Sequence, residues 1–324
     1  MEKDLQDHGY FLFSLDTELA TGLFDFNETR RQRFSPDGSL ERKAIYQLID
    51  LCDEFNIVGT WALVGHLFYE ACEECEICPM QEWRGKYSSF EEVYKTSNPL
   101  WYGADVVEAL LNRGVKQEIA FHGYSHKIFD ESLMSPQDAK LEVQEWLRVG
   151  KRKNIIPRAV TFPRNRAGHL DLLKKMGMIC YRGEAVVSPL SRNGRLWKYL
   201  KTIDKILGLS NVPIFDLTCQ ENHGLVVLRP SEYLFDINRK IELFLDSIHL
   251  HHLRIRRIIR GIHRAAEEKK IIHIWAHPCE FKTQKDFSKL HQIFMAVSDE
   301  MKQGRMQSVG MTEMAKLLLE RNAA

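Results

Sequence analysis

Short apolar runs of strand length alternate along the chain with longer amphipathic stretches of helical period, and this alternation limits the fold more than any other feature. The strand-like runs are Gly9–Leu15, Ile57–Val64, Glu118–Phe121, Ala159–Phe162, Met178–Tyr181, Leu225–Leu228 and Ile271–Ala276. Helical patterns occupy Leu40–Phe55, Asp105–Asn112, Pro136–Lys151, Ala167–Met176, Asn238–Lys269, Phe287–Gln303 and Met311–Arg321. Several have legible ends. Ser135 before Pro136 reads as an N-cap followed by a first-turn proline, and Gly177 after Lys174-Lys175-Met176 reads as a C-terminal stop. Strands alternating with helices predict a parallel sheet or barrel with helices outside. The pattern breaks twice, near residues 69–102 and 188–213, and resumes after each break. Both segments read as insertions over one rim, so residues 1–324 are expected to form a single domain.

Bulk properties exclude several classes. A formal net charge of +1 gives no global pull toward nucleic acid. No run approaches the ~18–20 apolar residues that span a bilayer. The N-terminal stretch Met1–His8 is acidic and polar, unlike a secretory signal. Seven cysteines, an odd number, fit a reducing compartment better than a disulfide framework. The expectation is a cytoplasmic protein.

Chemistry concentrates where strands end. His122-Gly123-Tyr124-Ser125-His126 follows the run Glu118–Phe121, and two imidazoles four positions apart can close on one divalent metal from the same side. An oxygen ligand is available in Asp16-Thr17-Glu18, after the first strand. Arg164 follows the fourth strand and His277 the last. In an α/β barrel such strand-end loops build the active site.

The segments Ser14-Leu15-Asp16-Thr17-Glu18, His122–His126, Thr161-Phe162-Pro163-Arg164-Asn165 and Ile274-Trp275-Ala276-His277-Pro278, in this order, resemble the polysaccharide deacetylase family, the NodB-homology carbohydrate esterases. The helix Leu170–Gly177 after the third segment matches as well. The resemblance runs from about Gly9 to Leu319 and implies an α/β fold, a distorted barrel of seven parallel strands. It implies removal of an N-acetyl group from an amino sugar with help from a divalent metal. It makes Asp16 the general base, Glu18, His122 and His126 the metal ligands, Arg164 the arginine that orients the base, and His277 the acid that protonates the leaving amine. Two departures stand out. The family more often has adjacent aspartates where this chain has Asp16-x-Glu18, and its third motif usually has one arginine followed by prolines, whereas Arg166 here rivals Arg164.

The same roles follow from the reaction. Amide hydrolysis needs an activated water, a stabilised oxyanion and a protonated leaving nitrogen. A zinc-like ion serves the first two, and a histidine with an unperturbed pKa of about 6.5 suits the third. Zinc is preferred on ligand type, though cobalt, nickel or iron also fit two imidazoles and a carboxylate.

Each signal has a plainer reading. The histidines and Asp16 are also ordinary turn residues, and His273 competes with His277. Cys72, Cys75 and Cys78 have thiolate spacing without a nearby fourth cysteine, and read as insertion residues. The basic run His251–Arg264 reads first as a surface helix with Ile255, Ile258, Ile259 and Ile262 facing the core. Its functional reading is an anion-attracting face for a phosphorylated substrate or a membrane surface bearing a lipid-linked sugar. Trp83, Tyr87, Phe90, Tyr94, Trp101 and Tyr102 would wall a sugar cleft or form a hydrophobic plug. The expected substrate is an N-acetylated sugar, a nucleotide sugar or a lipid-linked glycan. The rivals are a deformylase or cyclic-amide hydrolase on the same scaffold, and a carbohydrate-binding protein without activity.

Overall fold

The structure is a computed structural model that describes residues 8–23, 34–35, 37–71, 100–185, 203–204, 206–237, 241, 247 and 251–323. Its strands are β1 (Gly9–Thr17), β2 (Gly59–Leu63), β3 (Glu118–Phe121), β4 (Ala159–Val160), β5 (Cys180–Arg182), β6 (Glu221–Asn222), β7 (Leu225–Leu228), β8 (Glu232–Tyr233), β9 (Ile271–Ala276) and β10 (Met306–Ser308). They form one sheet in the order β6-β7-β5-β4-β3-β2-β1-β9-β8, with β10 paired to β1. The seven strands expected from sequence are the run β7-β5-β4-β3-β2-β1-β9, and every pair in it is parallel. β6, β8 and β10, each of two or three residues, had no sequence signal.

The helices are α1 (Ser39–Phe55), α2 (Ala104–Leu111), α3 (Pro136–Arg152), α4 (Leu170–Lys175), α5 (His251–Glu267), α6 (Gln284–Lys302) and α7 (Met311–Ala323). The Ser135 cap is present, its hydroxyl accepting from the Asp138 N–H. α6 has the reciprocal capping box of Thr283 and Asp286. Most of both expected insertions, residues 72–99 and 186–202, lies outside the described residues. So do Cys72, Cys75, Cys78, Trp83, Tyr87, Phe90 and Tyr94. Trp101 and Tyr102 are described and lie buried in the core.

Period-two alternation sorts each strand between two apolar layers. On β1, Phe11, Phe13 and Leu15 face the large core beneath α1, α2, α3, α5 and α6. Tyr10 and Leu12 face the other side, where small residues (Ala62, Ala120, Ala159, Cys180) leave room for Met311, Met314, Ala315 and Leu318 of α7. α7 begins beside the strand starts, its Met311 and Thr312 N–H groups donating to Thr60 Oγ1 and Glu118 Oε1. The helix therefore covers that side at the strand starts, and the strand ends are left for chemistry.

Candidate metal and catalytic site

The side of β1 that carries Tyr10 and Leu12 continues to Ser14 and Asp16 by strict alternation. The same rule on β9 runs from Ile271 through His273 and Trp275 to His277, and on β5 from Cys180 to Arg182. A layer of polar side chains thus forms where the strands end, above the apolar layer. Ser14 Oγ and His273 Nε2 lie 2.8 Å apart, and the Arg182 guanidinium sits 4.0 Å over the Trp275 ring. His273 is fully buried in this layer, whereas His277 lines the cavity, as does His126.

Glu18, His122 and His126 converge as expected. Glu18 Oε1 is 2.9 Å from His122 Nε2 and 3.1 Å from His126 Nε2. Ligands held ~2.0–2.2 Å from a tetrahedral ion stand about 3.3–3.6 Å apart, so by this estimate Glu18 need draw back only about a few tenths of an ångström for the trio to hold one metal. Glu18 reaches the histidines despite its displaced position in the chain. His122 Nδ1 donates to the Thr161 carbonyl at 2.8 Å, which fixes the tautomer and leaves Nε2 for the metal. The loop between the histidines is held from α3. Buried Glu142 accepts the Tyr124 and Ser125 N–H groups at 2.8 and 2.9 Å, and the Ser125 hydroxyl as well. Gly123 takes φ +73° to make this turn, and His126 itself sits at φ +63°. Burial works against ionisation of Glu18, but the charge of His126 and the hydrogen bonds of both imidazoles hold its carboxyl well below the usual range.

Asp16 is almost fully buried and is gripped by an arginine through both oxygens. That arginine is Arg182, with Nη1 to Oδ1 at 2.8 Å and Nη2 to Oδ2 at 2.6 Å. The sequence expectation of Arg164, with Arg166 as its rival, is therefore corrected. Arg164 donates to the Gly22 carbonyl at 2.9 Å, and Arg166, mostly exposed, pairs with Asp130. Thr161 Oγ1 also donates to Asp16 Oδ1, at 3.2 Å. Burial opposes the Asp16 charge, yet Arg182, aided by His122 and His277, keeps its carboxyl below the usual range.

His277 stands opposite, its Nε2 3.9 Å from Asp16 Oδ2 and 3.8 Å from Glu18 Oε1. Its Nδ1 lies 3.0 Å from Tyr233 Oη and 3.3 Å from Glu280 Oε2, while the Tyr233 hydroxyl donates to the same carboxylate at 2.5 Å. Burial disfavours the imidazolium, but Glu280, Glu18 and Asp16 outweigh it and lift the pKa to about 9. A cavity of about 400 Å³ opens on this group, lined also by Phe34, Asn165 and Lys282. Arg182, Glu142, Tyr233 and Glu280 have no place in the sequence reading, and Thr161 appears there only within the third segment, without a role. Arg182 had a usable signal, since it directly follows the strand-like run Met178–Tyr181.

The basic run on α5 is partly structural. Arg254 and Arg257 are buried, and both pair with Glu232 of β8, Arg257 at 2.9 Å. Ile255, Ile258 and Ile262 face the core as expected.

No family model matches the chain, and no curated protein matches it by sequence. Its likeness to solved structures is extensive. A protein assigned as a polysaccharide deacetylase from Mycobacterium smegmatis superposes with a TM-score of 0.58 at 12% identity, covering 98% of this chain and 92% of that one. Another so assigned, from Pseudomonas aeruginosa PAO1, gives 0.55 at 12% identity over 95% and 90%. An allantoinase gives 0.53 at 11% identity over 95% and 89%. At these identities the shared property is the fold. The chain has the polysaccharide deacetylase-type α/β barrel fold. No helix among the described residues is long and apolar enough to cross a membrane.

Proposed function

We propose that a chain with this fold and this constellation is a metal-dependent hydrolase of carbon–nitrogen bonds, acting on the N-acetyl group of an amino sugar. The observation that carries the reading is that two acid–base groups meet the three-ligand cluster at Glu18: His277 Nε2 is 3.8 Å from Glu18 Oε1 and 3.9 Å from Asp16 Oδ2, and ligand atoms of Asp16, Glu18 and His277 all lie within 4.8 Å of one another. A divalent ion held by Glu18, His122 and His126, zinc by preference, would supply Lewis acidity toward the acyl oxygen and a water acidic enough to ionise near neutrality. Asp16 takes the proton from the attacking water. Arg182 keeps Asp16 ionised and aimed, because both carboxylate oxygens are tied to one planar guanidinium. His277, protonated at neutral pH, gives its Nε2 proton to the departing amine, and Tyr233 with Glu280 holds the ring from Nδ1. The products are acetate and a free amino sugar.

Free thiols at Cys52, Cys180, Cys219 and Cys279 are in keeping with a cytoplasmic site of action. There the substrate would be met before export, as a nucleotide sugar, a lipid-linked glycan or a free amino sugar. The allantoinase likeness favours a second reading, hydrolysis of a cyclic amide by the same groups. A panel of N-acetyl sugars, N-formyl sugars and cyclic ureides, assayed with zinc for acid release and ring opening, decides between them. Acetate release by wild type and none by Asp16→Asn supports the first reading. Turnover of cyclic ureides alone replaces it with the second.

A further inference from the structure

We propose that Gly22 and Arg164 form a brace that positions the Glu18 carboxylate for the metal, an inference that rests on the metal-site reading above. Glu18 lies one residue beyond β1 and is a methylene longer than aspartate, so its carboxylate has rotamers to lose before it can serve as a ligand. The turn that follows removes them. Leu19 at φ +47° starts a 3₁₀ turn over Leu19–Leu23, which brings Gly22 back against the Glu18 side chain. A Cβ at Gly22 would lie 1.5 Å from Glu18 Oε2 and 2.5 Å from its carboxyl carbon. Gly22 is not among the glycines with positive φ, so space rather than backbone conformation calls for glycine here. The other oxygen, Oε1, is the one beside His122 and His126. The carboxylate is thus confined between Gly22 on one side and two imidazoles on the other.

Arg164 fixes the turn from across the cavity. Its Nη2 donates to the Gly22 carbonyl at 2.9 Å, from a backbone bent by consecutive left-handed residues, Arg164 at +58° and Asn165 at +52°. The turn is also tied within itself, through the Thr21 N–H to the Glu18 carbonyl at 3.1 Å, and to Leu100 through the Ala20 N–H at 3.0 Å. Arg182 has the task of holding Asp16, so Arg164 serves the ligand instead. The side chain acts through Gly22 and is a positioning residue.

Zinc affinity, measured by competition with a chromophoric chelator, separates this from a merely structural role. Gly22→Ala and Arg164→Met should each weaken zinc binding by about 10–100-fold, the usual scale for groups that orient a ligand. Arg164→Lys, which can still donate to the Gly22 carbonyl, should recover most of that loss. A Cβ at Gly22 would also stand 2.9 Å from the Glu18 Cβ, so the turn itself must yield a little in Gly22→Ala. The metal-free melting temperature should therefore fall slightly in Gly22→Ala and stay near wild type in Arg164→Lys, and a collapse of the fold in Gly22→Ala would make its lost affinity a structural effect. His122→Ala should bind no zinc. Wild-type affinity in Gly22→Ala and Arg164→Met overturns the brace, and loss in only one of them overturns the pairing. Failure of wild type to bind zinc removes the metal reading itself.

Discussion

At the scale of single residues, the state of Asp16 depends on which arginine serves it. Arg182 and Asp16 are both buried, so Arg182→Met leaves an uncompensated carboxylate and should destabilise the fold by roughly 3–5 kcal/mol. It should also lower kcat/KM. Arg166→Ala removes only an exposed pair and should change stability by less than ~1 kcal/mol. Denaturant unfolding of the two variants measures the contrast, and equal effects would contradict the assignment. His277→Ala should cut kcat by about 10²–10⁴-fold while zinc stays bound, because the ring faces the cluster without completing the Glu18, His122 and His126 trio. Loss of zinc in that variant would count against its role as acid. All six site residues expected from sequence lie at one end of the sheet, Arg164 on the cavity wall but on Gly22 rather than Asp16, because polar residues at strand ends are conspicuous against apolar runs. Arg182 carries a weaker sequence signal, because the apolar run stops at Tyr181 while β5 continues through Arg182, and the third segment has two arginines nearer in pattern.

At the scale of elements, α3 matters more than its distance in sequence from the metal residues implies. Glu142 supplies the acceptors for two loop N–H groups and one hydroxyl, so Glu142→Ala strands buried donors. A loss of about 2–4 kcal/mol is expected, with weaker zinc binding, whereas Glu142→Gln should retain much of both. Thermal melts and zinc titration of the pair check this, and a Glu142→Ala protein that behaves as wild type would refute the tether. The long helices and seven central strands were legible because each repeats its period over several residues or stands out as a solid apolar run. β6, β8 and β10 were not, since two or three residues carry no period. α5 shows the other limit. Its isoleucine stripe is visible in sequence, but the burial of Arg254 and Arg257 depends on Glu232, a partner in a strand with no signal of its own.

At the scale of the molecule, the parallel sheet divides the work, with α7 packed at the strand starts and the reactive groups gathered at the strand ends. Two buried histidines outside the metal trio tie this fold to pH. Burial holds His66 near a pKa of about 4, and burial with the Arg182 charge holds His273 near about 3, against about 6.5 for an ordinary imidazole. Both stay neutral while the unfolded chain takes up protons. Their contribution is therefore present above pH ~6.5 and is lost as pH falls, on the order of 3 kcal/mol for each by pH 4. Melting temperature should fall steeply from pH 6.5 to 4, and less steeply in His66→Gln. The barrel class was legible because alternation of strands and helices leaves few other architectures. Elemental analysis of purified wild type beside the His122→Ala/His126→Ala double variant decides whether Glu18, His122 and His126 hold a catalytic metal. Close to one equivalent of zinc or a similar divalent ion is expected in the first and none in the second; little metal in both, even after reconstitution, would overturn the metal site.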